Sequence, residues 1–333
     1  MKVWQIVVAV VVVGVFATVG LWNTGCGSKA EAEKIVVGYS KLRISLPIFV
    51  AQEKGFFAAR GLQVELMPYD TAQPLLHALI EGKIPAAGYT ALPISYAGMM
   101  RSEKGLYFAT CMVEDQQHRI SFLLRKTPEA GEQPAVRTIQ DLKGKTVGIL
   151  PTVAYKGWLQ AIVKANGLDP DRDIKIQQVE QTLQLQTLVS GGVDALFTND
   201  PVATAAIASG KAELILPDTV ECPKFIGDPF AFGSFNVNKA WADANPEAFK
   251  KLIAALDDAI DYINAHPEEV KQMMVPYIAE QFRPHVAQYP NALYTTSVDT
   301  KLKTLQDAAR MYVEHGILDS ELKMDGLVVS VPR

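Results

Sequence analysis

Five short stretches of this chain combine hydroxyl, amide and charged side chains with a position suited to holding a ligand. Ser40-Lys41-Leu42, Thr71-Ala72-Gln73, Thr90-Ala91, Thr152-Val153 and Asn199-Asp200 each follow a short strand-like run and stand where helical spacing begins. A helix start offers N–H groups without helical partners and partial positive charge, which suits a small anionic or polar group. Lys41, Arg43 and Arg119 are candidate cations. Glu114, Asp115, Asp200 and Asp228 weigh against a simple anion, because a carboxylate buried beside one is costly unless paired. Asp200 has two compatible readings: with Pro201 after it, it can cap the next helix, and at a strand end beside Asn199 it can face a ligand with N–H donors. Tyr39, Tyr89, Tyr155, Trp158 and Phe230 can stack a ring, although aromatics near strand ends more often pack in the core.

Other chemistries lack their residues. The five histidines, His77, His118, His266, His285 and His315, are dispersed, and no HExxH or GxSxG motif is present. The nucleophile–base pairing of a hydrolase is not visible, so the expectation is a protein that is not an enzyme. Gly144-Lys145-Thr146 is not a phosphate loop, since Ile139 occupies the place of the first glycine and the string precedes a strand. Cys26, Cys111 and Cys222 are too far apart for metal-ligand spacing, and no metal or cofactor is expected. Cys111 and Cys222 read either as one disulfide or as two buried thiols. With 32 basic and 36 acidic residues the net charge is −4, which leaves no footprint for nucleic acid.

The elements that position the five stretches alternate. Ile35–Tyr39, Leu62–Leu66 and Ala86–Tyr89 read as strands, and the apolar residues of 46–60 and of Leu75–Ile80 recur at helical spacing. A second alternation begins at Thr138 with Val147–Leu150, Lys175–Val179 and Val193–Phe197 as strands. Alternating strands and helices predict parallel α/β sheets, whose ligands sit outside the carboxyl ends of the strands. Residues 222–233, rich in Pro, Gly and Phe, read as the return to the first half. The expected plan is two lobes with a cleft and hinge closure between them: 35–124 with 233–333, and 125–232. The apolar stripes of Pro246–Ala265 and Lys301–His315 are packing faces.

The N-terminus has its own logic. Lys2, the uncharged apolar run Ile6–Trp22 and the small residues around Gly25 predict a signal peptide over residues 1–25. Cys26 after Asn23-Thr24-Gly25 resembles the lipobox of bacterial lipoproteins, with Asn23 where an aliphatic residue is usual. That resemblance implies lipidation of Cys26 and a tether over 26–34. An uncleaved anchor or a plainly cleaved signal are the alternatives.

Several strings resemble one family. Gly38-Tyr39-Ser40, then Phe49-Val50-Ala51-Gln52-Glu53-Lys54-Gly55-Phe56-Phe57 and Gly61-Leu62-Gln63-Val64-Glu65, are similar to the start of substrate-binding proteins of the nitrate/sulfonate/taurine and thiamine-pyrimidine-precursor type. Asp141–Gly148, and Val193-Asp194-Ala195 before Asp200-Pro201, resemble its second lobe. The resemblance implies a type II periplasmic-binding fold. It also implies a monomer outside a bacterial cytoplasmic membrane, periplasmic or at the cell surface, that hands a solute to an ABC permease. The implied ligand loops are the five stretches above: Ser40, Lys41, Leu42, Thr71, Gln73, Thr90, Ala91, Thr152, Val153, Asn199 and Asp200. The implied solute is small and anionic or polar, such as a sulfonate, taurine or nitrate. A pyrimidine or other heterocycle is the alternative, with a pyrimidine-synthase-like enzyme or a ligand sensor further behind.

Overall fold

Apolar runs too short for helices, each closed by a turn, become the strands. A computed structural model describes residues 34–332 except Glu103, so the expected signal peptide, Cys26 and most of the tether lie outside the described residues. The first sheet contains β1 (Lys34–Ser40), β2 (Gln63–Tyr69), β3 (Ala86–Ala91), β4 (Leu106–Glu114), β10 (Phe230–Asn238) and β11 (Leu293–Thr295) in the order β11-β4-β10-β3-β1-β2. The second contains β5 (Ser121–Lys126), β6 (Thr146–Ile149), β7 (Lys175–Gln178), β8 (Ala195–Asn199) and β9 (Ala212–Leu214) in the order β7-β6-β8-β5-β9. Helices flank both, and together they make a two-lobed α/β fold.

Strand direction explains how the lobes connect. β1 runs parallel to β2 and β3, and β6 parallel to β7 and β8, as alternation with helices requires. β5 and β10 run antiparallel to their neighbours. Both begin beside a strand end: Ser121 pairs with Asn199, the last residue of β8, and Phe230 pairs with Glu114, the last residue of β4. A strand that starts where others finish has to run against them. The sheets are therefore mixed, and β5 is the first strand of the second sheet. The expected lobe boundary at residue 124 falls inside that strand, and the boundary at 233 falls inside β10.

The helix Pro246–Ala265 buries Ile253, Leu256, Ile260 and Ile263 of the expected stripe, leaves its Phe249 half-buried, and buries Leu252 as well. The helix Leu302–Glu314 buries Leu305, Ala309 and Tyr312 and leaves Leu302 exposed. Two glycines let β3 and β10 approach. A Cβ on Gly233 would sit 2.7 Å from the Thr90 carbonyl oxygen, and one on Gly88 would sit 2.6 Å from the Phe235 ring. Cys111 and Cys222 are both free and buried, so the disulfide reading is wrong. Burial pushes the Cys111 thiol up to about 12 and raises that of Cys222.

Candidate functional site

The carboxyl ends of β1, β3, β6 and β8 and the turn after β7 converge on one pocket between the sheets. Its volume, counting the space open to solvent, is about 620 Å³. That is a narrow cleft for a small solute.

From the first lobe, Ser40, Leu42 and Ile44 line one side, with Asp70 and Thr71 beside them and Ala91 behind. Ser40 is buried, its Oγ 3.3 Å from Ser45 Oγ, and Ser45 Oγ donates to the Gly88 carbonyl at 3.2 Å. From the second lobe, Thr152 opens the helix Val153–Ala165 and accepts from Tyr155 N–H at 3.2 Å. Tyr155 follows one turn later, with Asn199 at the end of β8 and Glu180-Gln181 after β7. Three buried polar atoms of this lining have no hydrogen-bond partner: Tyr155 Oη, Asn199 Oδ1 and Gln181 Nε2. Burial raises the Tyr155 phenol well above its ordinary value, so it stays protonated.

Six of the eleven expected residues line the pocket: Ser40, Leu42, Thr71, Ala91, Thr152 and Asn199. Lys41 turns outward to pair with Asp70 at 2.8 Å. Gln73 is exposed in a separate surface groove with His77 and Arg101. Thr90 is used inside the first lobe, where its hydroxyl lies 2.5 Å from Ser95 Oγ and donates to Asn236 Oδ1 at 3.1 Å. Val153, 45% exposed, does not line the pocket.

The helix N-cap is Pro201, one residue later than expected, and Asp200 is used inside the protein instead. Its Oδ1 accepts from Thr204 N–H at 3.0 Å and from Thr204 Oγ1 at 2.6 Å, and its Oδ2 lies 3.3 Å from Arg43 Nε in a fully buried ion pair. Arg43 Nη1 and Nη2 donate to the Pro290 and Arg119 carbonyls at 2.5 and 2.7 Å. The second arginine, Arg119, donates to Glu221 at 2.9 Å and to the Thr219 carbonyl at 2.6 Å. Both arginines therefore tie distant chain segments together and neither lines the cleft. Beside them Glu114 accepts from the N–H groups of Ile120 and Ser121 at 2.7 Å each. Burial outweighs these donors and raises Glu114 to about 7, and burial raises Glu221 to about 8 against the pull of Arg119.

The sequence reading missed Asp70, Glu180 and Gln181, although Glu180-Gln181 stand after a strand like the other loops and the same rule applied to β7 finds them. Of the aromatic candidates, Tyr89 and Tyr155 line the pocket, while Tyr39, Trp158 and Phe230 are packed in the core. Phe232, on the same face of β10 as Phe230, supplies the remaining ring.

The NMT1/THI5-like family profile matches residues 44–270, about two thirds of the sequence. The chain belongs to that family. It is 25% identical over 305 residues to a nitrate import ATP-binding protein of Synechocystis sp., across 86% of this chain and 44% of that protein. It is 27% identical over 238 residues to a Haemophilus influenzae protein named for thiamine biosynthesis, across 69% of this chain and 68% of that one. The chain thus spans less than half the length of the first of these relatives. The alkanesulfonate-binding protein SsuA of Xanthomonas axonopodis pv. citri, solved with MOPS bound, superposes with a TM-score of 0.70 at 18% identity, covering 90% of this chain and 99% of that one. At that identity the superposition speaks for the shared two-lobed fold.

Proposed function

We propose that this protein is the extracytoplasmic solute-binding component of an ABC importer. It captures one small polar or anionic solute between its lobes and delivers it to a membrane permease by hinge closure. The observation that carries this is the cleft itself: strand ends from both lobes meet around one space lined by Ser40, Thr71, Thr152 and Asn199 among apolar walls. The relatives support it, since a nitrate importer and a sulfonate-binding protein are among them. The proposal includes a monomer held at the outer face of the membrane by a lipid on Cys26, with the five loop stretches as the ligand-facing elements.

Paired spin labels at Gln73→Cys and Lys156→Cys, both exposed and on opposite lobes, test the mechanism. A bound solute is expected to narrow the inter-label distance distribution and shift it to shorter values. At about 100 times its Kd it adds about 2.7 kcal/mol of stability, several degrees in Tm. A solute that raises Tm without changing the distance sinks hinge closure.

A further inference from the structure

The backbone crosses between the lobes at 115–120, before β5, and at 215–229, before β10. A third connection comes from the C-terminal part of the first lobe. Ahead of it, Tyr277 is fixed to that lobe: its hydroxyl donates to Glu53 Oε1 at 2.6 Å, and its ring stacks on Phe49 with 4.3 Å between centroids. Beyond it, β11 pairs with β4 of the same lobe. Between these two anchors the 3-10 helix Glu280–Gln288 packs on Val202–Ala208, the helix that follows β8 of the second sheet. Gln281 Nε2 donates to the Thr182 carbonyl at 3.4 Å, one residue from Gln181 of the cleft lining. Phe282 and Val286 are buried and Arg283, Ala287 and Gln288 exposed, so one face of this short helix is packed. The returning end is tied at Arg43. Its Nη1 donates to the Pro290 carbonyl at 2.5 Å and its Nη2 to the Arg119 carbonyl, in the first crossing, at 2.7 Å, while its Nε lies 3.3 Å from Asp200 Oδ2 of the second lobe. Tyr289, also buried, stands at the same junction, where burial and then the Asp200 charge raise its phenol and keep it protonated.

We propose that residues 279–290 are a strap, anchored at both ends on the first lobe and packed in the middle on the second, that limits how far the cleft opens. Separating the lobes has to peel Glu280–Gln288 from Val202–Ala208 and return apolar surface to water, whereas closing them costs no such exposure. The empty protein therefore rests near its closed arrangement, and a solute spends less of its binding free energy on bringing the lobes together. The strap deepens the two-lobe solute-binding reading above and rests on it.

The spin labels at Gln73→Cys and Lys156→Cys read the strap without any solute. Phe282→Ala is the strong variant and Val286→Ala the mild one, each made in the full-length labelled protein. Both are expected to lengthen the mean inter-label distance of the empty protein and to broaden its distribution, Phe282→Ala by more. Either is expected to weaken a solute that binds by about 3- to 10-fold, as the closed arrangement becomes less populated. Should Phe282→Ala fail to fold, Val286→Ala decides alone. A folded variant whose melting temperature falls while the distances of the empty protein stay as they were overturns the strap and leaves the segment as ordinary packing. That outcome leaves solute binding and hinge closure standing. Unsubstituted lobes whose labels do not move with any bound solute sink the closure reading instead, and the same two variants still show whether the segment restrains the empty protein.

Discussion

Two polar regions lie a few residues apart in this protein and are built on opposite terms. Behind the cleft, buried charged side chains meet a partner inside the protein: Arg43 with Asp200, Arg119 with Glu221, and Glu114 with the N–H groups of Ile120 and Ser121, although Glu221 Oε1 itself has no hydrogen bond. In front, Tyr155, Asn199 and Gln181 bury polar atoms and leave them unmatched. Asn199 and Asp200 are adjacent, yet one faces each region. The difference separates side chains whose charge is met inside the protein from polar side chains of the cleft lining with an atom that is not, and an unmet buried polar atom costs stability.

That contrast breaks most decisively at Asp200. Asp200→Ala strands Arg43 in the interior and is expected to cost about 3–5 kcal/mol, read as a shift in the urea midpoint. A cost below about 1 kcal/mol would mean that the region behind the cleft is not structural. Next in size is pH. Glu114 and Glu221 bind protons more tightly folded than unfolded, so the folded state holds more protons between the ordinary glutamate value and about 7 and 8 respectively. Stability contributed by these protons is present at pH 5 and is lost as pH rises to 8, at up to about 1.4 kcal/mol per unit for each group. Thermal melts at these pH values should show Tm falling, and Glu221→Gln should flatten the slope. A rising Tm that Glu221→Gln leaves unchanged would contradict it.

Smaller effects test the front. Tyr155→Phe removes a hydroxyl with no partner, so unfolding free energy should stay within about 0.5 kcal/mol while the affinity of any bound solute drops about 2- to 10-fold. A large stability loss at this position would move Tyr155 into the structural group. The smallest effect belongs to Lys41→Ala. The Lys41–Asp70 pair is exposed and worth about 0–1 kcal/mol, and binding of a neutral solute should change less than about twofold at any salt concentration. A tenfold, salt-sensitive loss would show that Lys41 serves an anion after all.

The two-lobed plan and the loops that converge are legible in the sequence because alternation and strand-end position are properties of the backbone. Side-chain direction is not. At Thr90-Ala91 the strand pleat sends the threonine toward Ser95 and Asn236 and leaves alanine on the cleft. At Thr152-Val153 the residue that caps the helix also lines the site, and the next one is rotated out. At Asn199-Asp200 a helix four residues on claims the aspartate. Nor does the sequence show that Arg43 and Arg119 have buried partners 157 and 102 positions away (200 − 43 and 221 − 119). A boundary at 124 assigns most of β5 to the first lobe, because an apolar run does not name the sheet it joins.

One feature of the first sheet governs how the molecule can be made. β10 lies between β3 and β4, yet the whole second sheet, β5 to β9, is encoded before it. A chain emerging N-terminus first can complete the second lobe while the first still has an open slot between two neighbours that do not touch. Assembly of the first lobe is therefore delayed until Phe230–Asn238 arrives, and until then the edges of β3 and β4 stay available for wrong pairing. Whatever handles the young protein has to shield that gap.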